Sequence, residues 1–258
     1  MRTRLTSTDA VPLKRMDFGE ADRIITMLTP GMGKLRVLAK GVRRTTSRMS
    51  GHLEPFVHTH VLLARGRDLA VVTQASMTDP FWRLRSDVIA TSHAYHLVEL
   101  IDAFLEDHDA HPEVFTLLLG ALQALDDGAI APQLVARHFE LHLLDAVGFR
   151  PELSICLGCN DSIQPVQNGY SAVRGGVFCP SCAGSEVSTI PISVDALKLL
   201  RYLQRTPRAD QIALQSVGEA GSPAERLLRA HIEHVSERRL RAAEFVRVVA
   251  ETAAGYRA

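Results

Sequence analysis

Four cysteines are the residues whose spacing points most directly to chemistry. They stand as Cys156-Leu-Gly-Cys159 and Cys179-Pro-Ser-Cys182, a C-x2-C-x19-C-x2-C arrangement. Each C-x2-C turn can direct two thiolates at one ion, and two such turns complete a tetrahedral four-sulfur shell with no position open for a substrate water. The chemistry expected of Cys156, Cys159, Cys179 and Cys182 is therefore structural zinc binding rather than redox exchange. Between the pairs, Tyr170 to Phe178 reads as a hairpin turning at Gly175-Gly176, which returns the second pair to the first. Such a knuckle supplies folding free energy to a loop too polar to make a core of its own. Arg174 and a few polar residues are its candidates for touching a nucleic acid.

A second constellation is electrostatic. Residues 34–48, KLRVLAKGVRRTTSR, carry six cations, and no acid occurs between Asp22 and Glu54, although the chain's 29 Lys/Arg and 29 Asp/Glu cancel overall. Side chains alternate along a strand, so Lys34, Arg36, Leu38 and Lys40 project to one side and Leu35, Val37 and Ala39 to the other. One face is cationic and the other apolar, and the strand runs on into Arg43, Arg44 and Arg48. Ordinary solvated faces mix their signs; this one does not, and reads as a surface for nucleic-acid phosphates. The first 80 residues hold two aromatic rings, Phe18 and Phe56, on segments expected to bury them. Contact is therefore expected to be mainly to the backbone, tolerant of sequence and sensitive to salt.

Other signals do not amount to a site. Gly31-Met-Gly33 lacks the third glycine of a dinucleotide fingerprint, and no G-x4-G-K-[ST] phosphate loop occurs. His138 and His142 lie four apart on a helix without the glutamate of H-E-x-x-H, and His58 and His60 share one face of a strand. No G-x-S-x-G elbow is present, and no catalytic residue is assigned.

These residues need elements to hold them. The 258 residues, 46% hydrophobic, are enough for a real core and for two or three units. Through residue 78 the pattern is of five short strands, Val11–Met16, Arg23–Leu28, Lys34–Gly41, Phe56–Ala64 and Leu69–Ala75, with turns at Pro30–Gly33 and Arg65–Asp68. Five strands without a second sheet best hide their edges by curling into a barrel, an OB-fold or, in competition, an SH3-like barrel. From Ser86 to Gly148 the period becomes helical, with starts at His111-Pro112 and Ala131-Pro132, and it resumes over 193–204 and 223–252. Gly218 to Pro223 reads as a flexible joint. The expected class is α+β and multidomain: an OB-fold barrel over residues 1–80, an α-helical unit over 81–258, and a four-cysteine insertion at 151–188.

Charge is sorted along this plan. Residues 1–80 hold 13 Lys/Arg against 7 Asp/Glu, whereas residues 81–155 hold 4 against 12. The barrel is thus the expected anion-binding part. The opening MRTRLTSTDA has no apolar signal region and no stretch of 18 apolar residues occurs, so a cytosolic protein with no membrane partner is expected.

Several of these residues form an ordered series. Gly19-Glu-Ala-Asp-Arg-Ile-Ile-Thr-Met-Leu-Thr29 is followed by Gly33-Lys-Leu35, Ala39-Lys-Gly-Val-Arg-Arg44, Ser47-Arg48 and Leu53-Glu-Pro-Phe56. The series resembles the bacterial RecO family of recombination mediator and strand-annealing proteins. The four-cysteine loop agrees with its zinc-bearing members, and Arg238-Arg-Leu-Arg241 resembles its basic C-terminal helix. The resemblance implies binding of single- and double-stranded DNA, annealing of complementary strands, and action in the RecF pathway near the nucleoid. It also implies two partners, RecR and the acidic tail of single-stranded DNA-binding protein, in loading RecA. The DNA-contacting residues carried over are Lys34, Arg36, Lys40, Arg43, Arg44 and Arg48. A zinc-stapled nuclease and an RNA-binding OB protein remain the alternatives.

Overall fold

The first strand, β1 (Leu5–Phe18), is long enough to serve two neighbours. Leu5–Ala10 pairs antiparallel with β4 (His58–Ala64), and Val11–Phe18 with β2 (Asp22–Thr29). Near the start of the second half, between Pro12 and Lys14, the register shifts. Proline brings no N–H to the ladder, and a bulge is where a strand tolerates it. β3 (Gly33–Ala39) pairs with β2 and, in parallel over Val37–Leu38, with β5 (Ala70–Asp79), which returns along β4. The order β1-β2-β3-β5-β4 closes on itself, the barrel expected of an OB-fold. Inward-facing Ile25, Met27, Leu35, Val37, Val61 and Val72 fill it.

This computed structural model describes residues 5–186 and 188–255; Met1–Arg4, part of the stretch read for a leader, lie outside them.

Beyond the barrel come α1 (Trp82–Ser86), α2 (Val88–Phe104), α3 (Pro112–Asp127) and α4 (Pro132–Ala146). The Asp87 carboxylate caps α2 by accepting from Ile89 and Ala90, and prolines open α3 and α4, where a missing N–H costs nothing. The cysteine loop contributes a three-stranded sheet, β6 (Asn168–Ser171), β7 (Gly176–Phe178) and β8 (Ile190–Ile192), with the short α5 (Pro180–Ala183) between β7 and β8. The chain then returns to helix in α6 (Val194–Arg205), α7 (Gly221–Ser236) and α8 (Arg241–Gly255). Gly218–Pro223, read as a flexible joint, is instead one 3-10 turn running directly into α7. Among the described residues, no helix is long and apolar enough to cross a membrane.

Barrel and helices share a core. Val11, Leu13, Leu28 and Phe56 leave the barrel interior and pack with the side chains of α2–α4, and Phe56 meets Tyr95 edge to face at 4.8 Å. The β2–β3 turn is fitted closely to the loop after α2. A Cβ on Gly33, whose φ is +65°, would collide with the Asp109 carbonyl, and His108 N–H donates to Lys34 O at 2.8 Å. That fit decides which part of β3 stays open to solvent.

Candidate nucleic-acid interface and metal centre

The outward side chains of β1, β2 and β3 lie in cross-strand rows. Lys14, Thr26 and Arg36 form one row; Met16, Ile24 and Leu38 form the next; Phe18 and Asp22 form the last pair, with Lys40 one residue past the end of β3. Nearer the helices the same face is covered, and Lys34 lies there. Its side chain is buried, 7% exposed for the residue, with Nζ 3.3 Å from Asp102 Oδ1 and 3.5 Å from Asp107 Oδ1. Lys14 joins it on Asp102 at 2.6 Å. Burial works against the Asp102 carboxylate, but the two lysines outweigh it and hold the carboxyl below its usual range. Lys34, expected on the open cationic face, is therefore committed to the barrel–helix junction. Alternation placed it on the correct side of the strand, but the covering loop was not legible.

Arg36 and Lys40 are exposed on the open part of the face, and Arg44 beside them is exposed too. Asp22 Oδ1 accepts the Gly41 N–H at 2.7 Å, fixing a turn in which Gly41 takes a φ of +64°. That turn swings the chain around the barrel end. Arg43 there lies 3.4 Å from Asp17 Oδ2 and donates to Gly19 O at 3.3 Å. Arg48 turns to a different side, lining a hollow with Ser7, His60 and Thr73 over β4 and β5. The structure thus groups Arg36, Lys40, Arg43 and Arg44, sets Arg48 apart and withdraws Lys34. Among the described residues, no carboxylate lies within ion-pair distance of Arg36, Lys40, Arg44 or Arg48.

Two further cations stand near this group. Arg65 and Arg67 are exposed on the loop from β4 to β5, which closes onto β3 where Ala70 pairs with Val37, one residue from Arg36. Their signal in the sequence was the basic turn Arg65-Gly-Arg-Asp68, which reads only as a turn until the parallel β3–β5 pairing is known. Phe18 also departs from expectation. Phe56 is buried as expected, but Phe18 is 51% exposed and Met16 is 53% exposed. Arg15 and Asp17, the intervening residues, point the other way into ion pairs, Arg15 with Glu54 and Asp17 with Arg23.

The four cysteines converge, with their sulfurs all within 4.8 Å of one another. Cys156 N–H donates to Asp161 O at 2.8 Å and Asn160 N–H returns to Cys156 O at 2.9 Å, forming the first knuckle; Cys182 N–H to Cys179 O at 3.1 Å forms the second. A Cβ on Gly158 would lie 2.8 Å from Cys182 Cβ, so the turn admits glycine where the knuckles meet. Burial disfavours the Cys156 thiolate, yet N–H groups of Cys179, Cys159 and Gly158 outweigh it and bring its pKa down to about 6. Four sulfurs at this spacing, one of them cradled by N–H donors, fit a tetrahedral metal ion.

The knuckle is seated in the helical unit rather than held out as an arm. Cys156, Tyr170, Val177 and Phe178 belong to the helical core. His231 of α7 donates from Nε2 to Phe149 O at 3.0 Å and accepts from Tyr170 OH at 3.0 Å. Arg174, the loop's candidate for nucleic-acid contact, lies 3.8 Å from Glu186.

Remaining candidates have structural partners. His138 and His142 both donate from Nε2 to Thr206 O, at 2.9 and 2.8 Å. His60 accepts or donates between Ser7 and Asp9, and His58 lies 3.9 Å from Asp9. Arg238 and Arg239 lie in the loop before α8 rather than on a helix; Arg241 begins α8, whose first N–H groups are capped by Glu99. The cleft bordered by α3, α4 and residues 207–210 sets Asp79, Glu113, Asp145 and Asp210 beside Arg208, His58, His138 and His142, and its carboxylates outnumber its one arginine, a poor complement for an acidic peptide.

Comparison with known proteins agrees with this architecture. The family model Recombination protein O N terminal matches residues 1–81, and Recombination protein O C terminal matches residues 85–244. The DNA repair protein RecO of Roseiflexus sp. (strain RS-1) is 44% identical over 246 residues, 95% of this chain and 86% of its own length. That of Dehalococcoides mccartyi (strain BAV1) is 37% identical over 231 residues, 90% of each chain. That of Symbiobacterium thermophilum is 33% identical over 248 residues, covering 94% of this chain and 96% of the relative. Two family models in chain order, on a closed barrel followed by helices with a four-cysteine knuckle, establish that this chain belongs to the RecO family of DNA repair proteins.

Proposed function

We propose that this chain is a non-enzymatic mediator of recombinational repair, which binds single- and double-stranded DNA on the outer β1–β2–β3 face and anneals complementary strands without ATP. The observation that carries the reading is the group Arg36, Lys40 and Arg44, exposed and, among the described residues, without carboxylate partners on an OB barrel, with Arg43 at its edge. Arg65 and Arg67 extend it along the β4–β5 loop, a loop OB barrels use for oligonucleotides, and Arg48 reaches only a strand that wraps further round the barrel. Neutralising two strands on one cationic surface removes the repulsion that opposes their meeting, and releasing their counterions requires no fuel.

The knuckle is assigned zinc, held by Cys156, Cys159, Cys179 and Cys182 and serving to fold the loop against α6 and α7. Family membership supports RecR and the acidic tail of single-stranded DNA-binding protein as partners in loading RecA, and an intracellular place at the nucleoid. The division of labour is a DNA-binding barrel over 1–80 and a helical unit over 81–258 that carries the metal insertion at 151–188.

The test is annealing of complementary strands coated with single-stranded DNA-binding protein, followed by fluorescence without nucleotide. Annealing that proceeds without ATP and is lost on reversing Arg36 and Lys40 to Glu supports the reading. Divalent-metal-dependent strand cleavage, or a preference for RNA over DNA of equal length, contradicts it.

A further inference from the structure

We infer that Met16 and Phe18, with Leu38 between the cations, form a strip that receives the unstacked bases of a single strand. The inference rests on the DNA-binding reading above and deepens it, because it assigns the face a second kind of contact and a preferred form of DNA.

Met16 and Phe18 are half exposed on consecutive outward positions of β1, about 7 Å apart at the rise of a strand. Across from Met16 lies Ile24, buried at 9% exposure, and beyond it the half-buried Leu38, which packs into neither hydrophobic core of the protein. The result is an apolar row three strands wide, bounded by Arg36 on one side and by Lys40 on the other. On the opposite side of this hairpin Arg15, Asp17 and Arg23 are engaged in ion pairs and Leu13, Ile25 and Met27 are buried in the cores, so the apolar residues are not displaced from some other packing.

An apolar strip alone names no ligand, but its cationic borders do. A partner must offer regularly spaced negative charges and flat apolar faces between them, which is the chemistry of an unstacked single strand. A duplex presents phosphates on its outside and keeps its base faces stacked, so it meets the cations without filling the strip. The strip is also poor in groups that read base edges. The Asp22 carboxylate is taken by the Gly41 N–H, leaving Thr26 as the neutral hydrogen-bonding side chain among these rows. Bases lying on Phe18 and Met16 keep their pairing edges free, which suits a strand that is to be annealed.

The experiment compares binding of oligothymidylate with that of an abasic phosphodiester strand of equal length, at one salt concentration. Wild-type protein should favour the base-bearing strand by about tenfold or more, the scale of one or two stacked bases. Phe18→Ser with Met16→Ser should bring the ratio close to one, and Phe18→Trp should restore it. A wild-type ratio near one, or a ratio that survives the double Ser variant, overturns the inference. Abasic binding reports separately on the underlying reading: if the wild type fails to bind the abasic strand, the cationic face itself has been misassigned.

Discussion

Lys34 Nζ lies 3.3 Å from Asp102 Oδ1, joining the start of β3 to the last turn of α2 and taking one cation out of a cluster of six. The pair makes Lys34 a junction residue. Breaking one side of a buried ion pair leaves the other charge uncompensated, which costs more than the intact pair contributes. Asp102 is partly open and keeps Lys14, which reduces the loss. Lys34→Met should lower unfolding free energy by about 1–3 kcal/mol, read by urea denaturation, while the salt dependence of DNA binding stays as in wild type. A flattened salt dependence without loss of stability would return Lys34 to the DNA-binding set.

The metal centre should be structural in a measurable sense. Cys179→Ser should remove the metal and reduce stability and solubility, because the loop's packing on α6 and α7 depends on the closed knuckles. DNA affinity of the remaining folded protein should fall little, since the barrel carries the cations. Elemental analysis finding no zinc or equivalent ion in freshly purified protein would sink the assignment.

Acid should destabilise the helical unit through two buried histidines. His93, on α2, is held down to about 4 mainly by burial, and His138, on α4, to about 4 by burial and the neighbouring His142. Both are neutral in the fold and titrate from an ordinary 6.5 when unfolded, so between those values the unfolded chain binds more protons. Stability is then full above about pH 6.5, falls as pH drops toward 4, and stops falling below it. Each shift corresponds to about 3 kcal/mol as an upper bound. Denaturant midpoints measured from pH 7 to 4 should show this slope, and His138→Gln should reduce it; a flat profile contradicts the assignment of buried neutral rings.

Much of this was legible in the sequence, for identifiable reasons. Five strand-like runs with short turns implied a closed barrel, and Pro112 and Pro132 stand at the first positions of α3 and α4. The cysteines announced their convergence because ligand spacing is a local property. What was not legible depended on which surfaces meet. Lys34 and Arg36 are two residues apart on one face, and the approach of Asp102 and of the loop after α2 separates their fates. Phe18 was expected to be buried as an aromatic on a strand, but it takes an outward position at the end of β1 and is half exposed. Arg65 and Arg67 acquire meaning only through the parallel pairing of β3 with β5.

The most direct test of the account is the salt dependence of single-strand affinity for wild type and for the variant with Arg36→Glu and Lys40→Glu. About five neutralised phosphates predict that log affinity falls with log salt at a slope of roughly −3 to −4, at about −0.7 per phosphate. The double variant, whose substitutions lie on an exposed strand face and should leave the fold intact, is expected to flatten that slope by about one to two units and to lose annealing. A folded double variant that keeps wild-type affinity and slope would place the DNA elsewhere, with the loop around Arg238 and Arg239 as the next surface to examine.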